Sequence, residues 1–293
     1  MSHADESQDR SWSRRELLRT GLAAAGAVSI AGLNLGGRAA IGEEVSPYAP
    51  FAMGLQSYSL RGYTKGGKPD VSKALAVTNE LGLHHWEAFP AHLPSMGDAD
   101  GVKVALRRFK AAGVAVNGFG VVGFGTNLDE AKRTFAFAAE LGVQYMSADP
   151  ALESFDMLDK LVEEYKIPIG IHNHGPGHKW AKIDVIHQHI KDHSKLIGCC
   201  IDTGHFLRSR EDPVRAAEVF EGRIYGVHLK DVKHATTFTV LGAGDLKTAE
   251  LLRRLAAQKY KYCLALEYEE HPENPLADLK SCLAAVRNAL KQV

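Results

Sequence analysis

The chain has 293 residues, 45% hydrophobic and 24% charged, with 35 basic and 35 acidic side chains. That length accommodates one barrel of ~250 residues. The neutral balance leaves no electrostatic footprint for a polyanion, which excludes nucleic acid as a first expectation.

Residues 10–39 read "RSWSRRELLRTGLAAAGAVSIAGLNLGGRA", with Arg14-Arg15 ahead of a weakly apolar Ala/Gly run. The stretch from Ser13 to Arg19 resembles a twin-arginine export signal, with Leu17 where Phe is commoner. Its apolar run, Gly21 to Leu35, is shorter than the ~20 residues a bilayer span requires, so no membrane span is expected in the mature chain. Gly37-Arg38-Ala39 is a small-x-small site, and cleavage is expected after Ala39, giving a signal over residues 1–39 and a single barrel domain over 44–293. Removal leaves 30 basic against 31 acidic residues, still neutral. The resemblance implies export of a folded protein, with any cofactor already inserted, to the periplasm or beyond.

From residue 51 short apolar runs alternate with amphipathic segments. The strand candidates are "FAMGLQSYS", "LHHWEAF", "VAVNGFG", "VQYMSA", "IPIGIHNH", "IGCCIDTGH", "RIYGVHLKD" and "YCLALEYEE". Helical stretches such as "LDEAKRTFAFAAELG" and "LKTAELLRRLAAQK" separate them, and Gly82, Gly113, Gly142 and Gly222 stand where left-handed caps are expected. Eight strand-helix units, without GxGxxG after the first strand, predict a (β/α)8 TIM barrel over a doubly wound sheet. Cys199, Cys200, Cys263 and Cys282 show no CxxC spacing and are expected as buried free thiols.

The last four strands all turn polar at their C-terminal ends, where a parallel barrel builds its site. Strand five ends in His172, Asn173 and His174, and strand six in Asp202 with His205 close behind. Strand seven brings His228, Lys230 and Asp231, and strand eight Glu267. Several carboxylates kept together out of water need a cation. The mixed nitrogen and oxygen set His172, Asp202, His228 and Glu267 predicts a divalent metal, with Mn, Zn, Co or Fe ahead of Mg.

"IHNHG", "DTGH", "VHLKD" and "LALEYE", in that order, resemble the xylose isomerase-like TIM barrels, the sugar-phosphate isomerase/epimerase family. The resemblance covers roughly residues 50–293. It implies a metal-dependent isomerase or epimerase acting on a small-molecule sugar or keto-sugar through an enediolate. It implies Asp202, His228 and Glu267 as metal ligands, and His205 and Lys230 beside the substrate, with His174 near them. It also implies Glu87 as a substrate-side glutamate, with Trp86 as a sugar-stacking face. Epimerases of the family carry Glu where this chain has His172, so the symmetric two-carboxylate proton exchange is lost. Inosose dehydratases carry a His-rich strand five, which keeps a lyase or dehydratase open as the alternative. A catalytically silent sugar-binding barrel is the other. The acid–base pair expected is Glu267 with His172 or Glu87, His205 polarising a substrate oxygen. The DNA-repair endonucleases of this barrel need further histidines on strands two and three and an Asp-x-His after strand seven; "NGFGVV" has no His and "KHATTFTVLGAG" no Asp-x-His.

Two weaker signals remain. His187, His189 and His193 in "IHQHIKDH" are expected on a return helix as solvated residues. "LGAGDLKT" offers a conceivable phosphate cradle, but a helix start capped by Asp245 is expected instead. An exported enzyme favours an unphosphorylated sugar.

Overall fold

The computed structural model describes residues 46–293; the twin-arginine segment and its cleavage site lie outside them. Eight parallel strands close into a barrel: β1 (Ala52–Gln56), β2 (His85–Ala88), β3 (Ala115–Phe124), β4 (Tyr145–Pro150), β5 (Ile169–His172), β6 (Ile197–Asp202), β7 (Ile224–Leu229) and β8 (Cys263–Leu266). β1 closes the ring by pairing with β2 on one edge and β8 on the other. Every residue of β5, β6, β7 and β8 is buried, as expected of strands covered on both faces.

The helices are α1 (Val71–Glu80), α2 (Ala99–Ala111), α3 (Leu128–Leu141), α4 (Phe155–Tyr165), α5 (Ile183–Ile190), α6 (Thr203–Arg208), α7 (Pro213–Val219), α8 (Thr248–Ala257) and α9 (Leu276–Leu290). Side-chain oxygens cap several first turns: Asp70 on α1, Asp98 on α2, Asn127 on α3 and Asp212 on α7. Gly82, Gly113, Gly142 and Gly222 all carry the left-handed φ expected of them. Asp245 does not cap α8, which starts at Thr248 behind Lys247; its carboxylate instead accepts from the Ala235 N–H. The four cysteines are free and buried.

Register positions the site. Asp202 lies directly opposite His228 across β6 and β7, and Gln56 opposite Glu87 across β1 and β2. A small antiparallel ribbon, 231–233 against 237–239, follows β7 and stands over the C-terminal mouth beside His205, with Phe238 5.7 Å from that imidazole. Among the described residues no helix is long and apolar enough to cross a membrane.

Candidate metal centre and active site

The "DTGH" motif explains itself at the junction of β6 and α6. Asp202 caps the short helix, its Oδ1 accepting the His205 N–H at 2.7 Å, which leaves Oδ2 turned into the barrel. Asn173 fixes the same residue from β5, its Oδ1 accepting the Asp202 N–H at 2.8 Å and its Nδ2 donating to the Asp202 carbonyl at 2.9 Å. Thr203 Oγ1 accepts the Lys230 N–H at 2.8 Å and so ties the end of β6 to the end of β7. A Cβ on Gly204 would stand 2.8 Å from Lys230 Cγ, so glycine makes room for that lysine.

His172, Asp202, His228 and Glu267 converge at the floor of the mouth, one ligand atom of each within 4.8 Å of the others. His228 Nδ1 lies 3.1 Å from both His172 Nε2 and Glu267 Oε2, and 3.9 Å from Asp202 Oδ2; His172 Nε2 lies 3.5 Å from Asp202 Oδ2. Metal–ligand bonds of ~2.1 Å separate neighbouring donors by about 3.0 Å in an octahedral shell and about 3.4 Å in a tetrahedral one. Asp202 Oδ2 and Glu267 Oε2 are buried and make no aligned hydrogen bond, with the Lys230 ammonium at ion-pair distance from each. His228 Nε2 sits 2.8 Å from Glu87 Oε1, which places a proton there and turns the lone pair of a neutral Nδ1 toward the same point. The residues fit a divalent cation.

Charge supports the same reading. Three carboxylates gather around one ammonium, Lys230, which is 3.0 Å from Asp202 Oδ2 and 3.3 Å from Glu267 Oε2 and bonded to Glu269, and a fourth, Glu87, lies against His228. Even with one imidazole protonated the group is negative by two units. Burial works to raise both carboxyls, yet Lys230 holds Asp202 well below the usual range and, with His228, brings Glu267 to about 2. Burial opposes protonation of His228, but Cys200, Glu87 and Glu267 push it well above the ordinary imidazole value.

Above this floor is a cavity of about 260 Å³, near the lower end of the ~300–1,000 Å³ of small-molecule sites. Its β5–β8 side carries His174, His205, Lys230 and Glu269 over the floor residues; its β1–β3 side carries Gln56, Tyr58, Phe89, Gly120 and Val121. Burial, the larger cause in each case, lowers His174 to about 3 and His205 to about 4, so both imidazoles are neutral at pH 7. Arg208 Nη1 lies 3.3 Å from His205 Nδ1; a guanidinium can only donate, so His205 carries its proton on Nε2.

A second histidine group, His174 and His178 with Asp149, is not equivalent. The Trp180 N–H donates to His178 Nδ1 at 3.2 Å, so a neutral His178 has its proton on Nε2, facing Asp149 Oδ2 at 3.5 Å. That nitrogen has no lone pair for a cation, and Lys179 holds the other Asp149 oxygen at 2.6 Å.

A model of the xylose isomerase-like TIM barrel matches residues 75–288. The chain belongs to this family. Among curated proteins it is similar to the inosose dehydratase of Clostridium tetani, 30% identical over 146 residues that cover 42% of this chain and 48% of that one. The chain spans about half the length of the curated relatives it matches. Among solved structures it is similar to an uncharacterised protein of Parabacteroides distasonis, 26% identical over 81% of this chain and 98% of that one, TM-score 0.62. The 3-keto-D-glucoside 4-epimerase of E. coli shares the fold at 14% identity, covering 81% and 99%, TM-score 0.62.

Against the resemblance to this family, two expected placements change. Trp86 offers no stacking face: it is fully buried outside the ring of strands, its Nε1 donating to Thr78 Oγ1 at 2.8 Å and its ring packed on Phe109. Successive residues of a strand face opposite ways, so an inward Glu87 sends Trp86 outward. Glu87 is also fully buried, one layer beneath the cavity rather than on its wall. It accepts from Gln56 Nε2 (3.0 Å), Tyr145 Oη (2.7 Å), Ser147 Oγ and His228 Nε2. Those donors and the charge on His228 hold it ionised despite its burial. The cavity residues Gln56, Tyr58 and Phe89 escape sequence reasoning because only barrel closure sets them across from β5–β8.

His187 is exposed as expected, whereas His189 is half-buried against Phe155 and His193 pairs with Asp159. The amides of Gly242, Gly244 and Leu246 are taken by Asp231, at 2.9, 3.1 and 3.0 Å, which spends the donors a phosphate would need.

Proposed function

We propose that the chain is a divalent-metal-dependent enzyme that removes the proton beside a ketone of an unphosphorylated carbohydrate and completes the reaction by β-elimination, as a carbon–oxygen lyase. The observation that carries this reading is the buried His172–Asp202–His228–Glu267 set, two of its oxygens making no aligned hydrogen bond, at the floor of a sugar-sized cavity.

A cation bound by those four residues supplies Lewis acidity, polarising the ketone and acidifying the adjacent C–H. Glu267, kept ionised by Lys230 beside it, accepts the proton. His205 presents Nε2–H to a substrate oxygen, and Lys230 keeps the acidic floor compact. The isomerase or epimerase outcome shares this first step and differs only in how the intermediate is resolved. Epimerisation needs a second acid on the other face, and the β1–β3 wall offers no carboxylate or imidazole among the described residues. That asymmetry and the dehydratase activity named for the curated relatives support elimination.

The test is incubation of the metal-loaded protein with keto-sugars and keto-glycosides in D₂O. Loss of water or aglycone from the β-carbon is expected. Solvent deuterium in a recovered epimer moves the assignment to epimerase, and neither change overturns the proposal. Periplasmic delivery by the twin-arginine route is part of the same proposal. Replacing Arg14 and Arg15 by Lys is expected to leave the precursor in the cytoplasm on fractionation, and unaltered export contradicts it.

A further inference from the structure

We propose that Tyr58 is the proton donor to the departing oxygen, acting from the cavity wall opposite the four candidate ligands; this rests on the elimination reading above. A leaving hydroxide or alkoxide needs a proton, and the β5–β8 side has few to give. Its carboxylates pair with Lys230, which is committed to Asp202, Glu267 and Glu269; His174 turns its Nε2 toward Asp149 Oδ2 at 4.0 Å, and the His205 N–H is the donor proposed above for the substrate ketone. On the facing wall the Gln56 amide is spent on Glu87 and the Gly120 carbonyl, and Phe89, Gly120 and Val121 have no side-chain donor. On that wall Tyr58 is the side-chain donor that remains.

The fold holds this ring with care. Tyr58 sits in the 3-10 turn Ser57–Leu60 directly after β1, its N–H donating to Gln56 Oε1 at 3.1 Å. Ser57 Oγ anchors the turn to β2 through the Phe89 N–H at 2.8 Å, and Ser59 Oγ anchors it beyond β8 through the Tyr268 N–H at 3.0 Å. Phe89 meets the ring edge-on with centroids 4.9 Å apart. Arg61 lies over the ring at 4.2 Å and donates to the carbonyls of Tyr58 and Glu269, spanning both sides of the mouth. Tyr145, Tyr225, Tyr260 and Tyr268 spend their hydroxyls inside the fold. The Tyr58 hydroxyl makes no hydrogen bond to a described residue, although its ring is fixed and lines the cavity.

The step balances. Glu267 takes the C–H proton, that electron pair becomes the new C=C bond, and the β-C–O bond breaks with its electrons leaving on oxygen. Tyr58 Oη gives its proton to that oxygen and regains one from solvent, while Glu267 returns its own. The net change is loss of one molecule of alcohol or water, with no oxidant or reductant.

The experiment compares wild type with Tyr58→Phe, both metal-loaded, on keto-glycosides carrying methanol or nitrophenol as the leaving group. Deuterium exchange at the carbon beside the ketone is followed in D₂O. Methanol release is expected to fall by about 10²-fold or more, nitrophenolate release and exchange staying within about threefold. Equal loss for both leaving groups, or loss for neither, overturns the role of Tyr58. A wild type that neither exchanges nor releases overturns the elimination reading itself, and this inference with it. Should Tyr58→Phe fold poorly, 3-fluorotyrosine at position 58 keeps ring and hydroxyl but makes a stronger acid. The alkaline limb of methanol release is then expected at lower pH, and an unmoved limb overturns the proposal.

Discussion

Glu87 is a carboxylate with no exposed surface and four donors upon it, and it touches the site through one of them, His228 Nε2. A partner of this kind fixes the tautomer of a ligand imidazole, and its loss weakens metal binding by ~10–100-fold. Glu87→Gln is therefore expected to lower Mn²⁺ or Zn²⁺ affinity by that factor in calorimetric titration; an unchanged affinity would mean that His228 orients itself. His92 supplies a second residue-scale prediction. Burial lowers it to about 4, its Nδ1 facing Ser57 Oγ at 2.8 Å. The folded state thus favours the neutral ring. That stability is present above the unfolded value near 6.5 and is lost as pH falls toward 4, about 2 kcal/mol of it between pH 7 and pH 5. Denaturant melts of His92→Leu are expected to show a pH slope shallower than wild type by that amount, and equal slopes would contradict it. The site acids and imidazoles were legible because they interrupt otherwise apolar strands. Glu87 was legible as important but not as buried support, since its depth depends on His228, distant in sequence.

At the scale of elements, the turns after β6 and β7 are built as one piece. Thr203 joins them, Asp202 caps α6, and Asp231 gathers the backbone of residues 232–246 onto a single carboxylate by accepting from Val232, Gly242, Gly244 and Leu246. Removing a charged acceptor of several buried amides costs about 3 kcal/mol. Asp231→Ala is expected to lose about that much in urea unfolding and to raise KM as the ribbon bearing Phe238 loosens; a loss below about 1 kcal/mol would show the ribbon to be held by other contacts. Beneath the site, a Cβ on Gly118 would stand 2.6 Å from Tyr145 Cζ, so Gly118 makes space for the ring that donates to Glu87. The strand-helix alternation and glycine caps were readable from local periodicity. Helix α6 was hidden inside the polar end of a strand, and the β1–β3 wall depends on ring closure, which no local pattern encodes.

Over the whole molecule, the barrel core is ordinary in its burial, and the exception is the negative cluster at its mouth. Taking ions out of water costs several kcal/mol each unless they are matched. A bound divalent ion is thereby a structural partner of the fold, and ligand binding at 100 times Kd adds ~2.7 kcal/mol. Thermal unfolding with and without chelator is expected to differ accordingly. The most direct test of the shared site is metal analysis with anomalous diffraction on protein purified without added metal. One divalent ion per chain, bonded to His172, Asp202, His228 and Glu267, is the result expected. Metal-free protein with Lys230 alone neutralising those carboxylates, and no ion taken up on soaking, would contradict it.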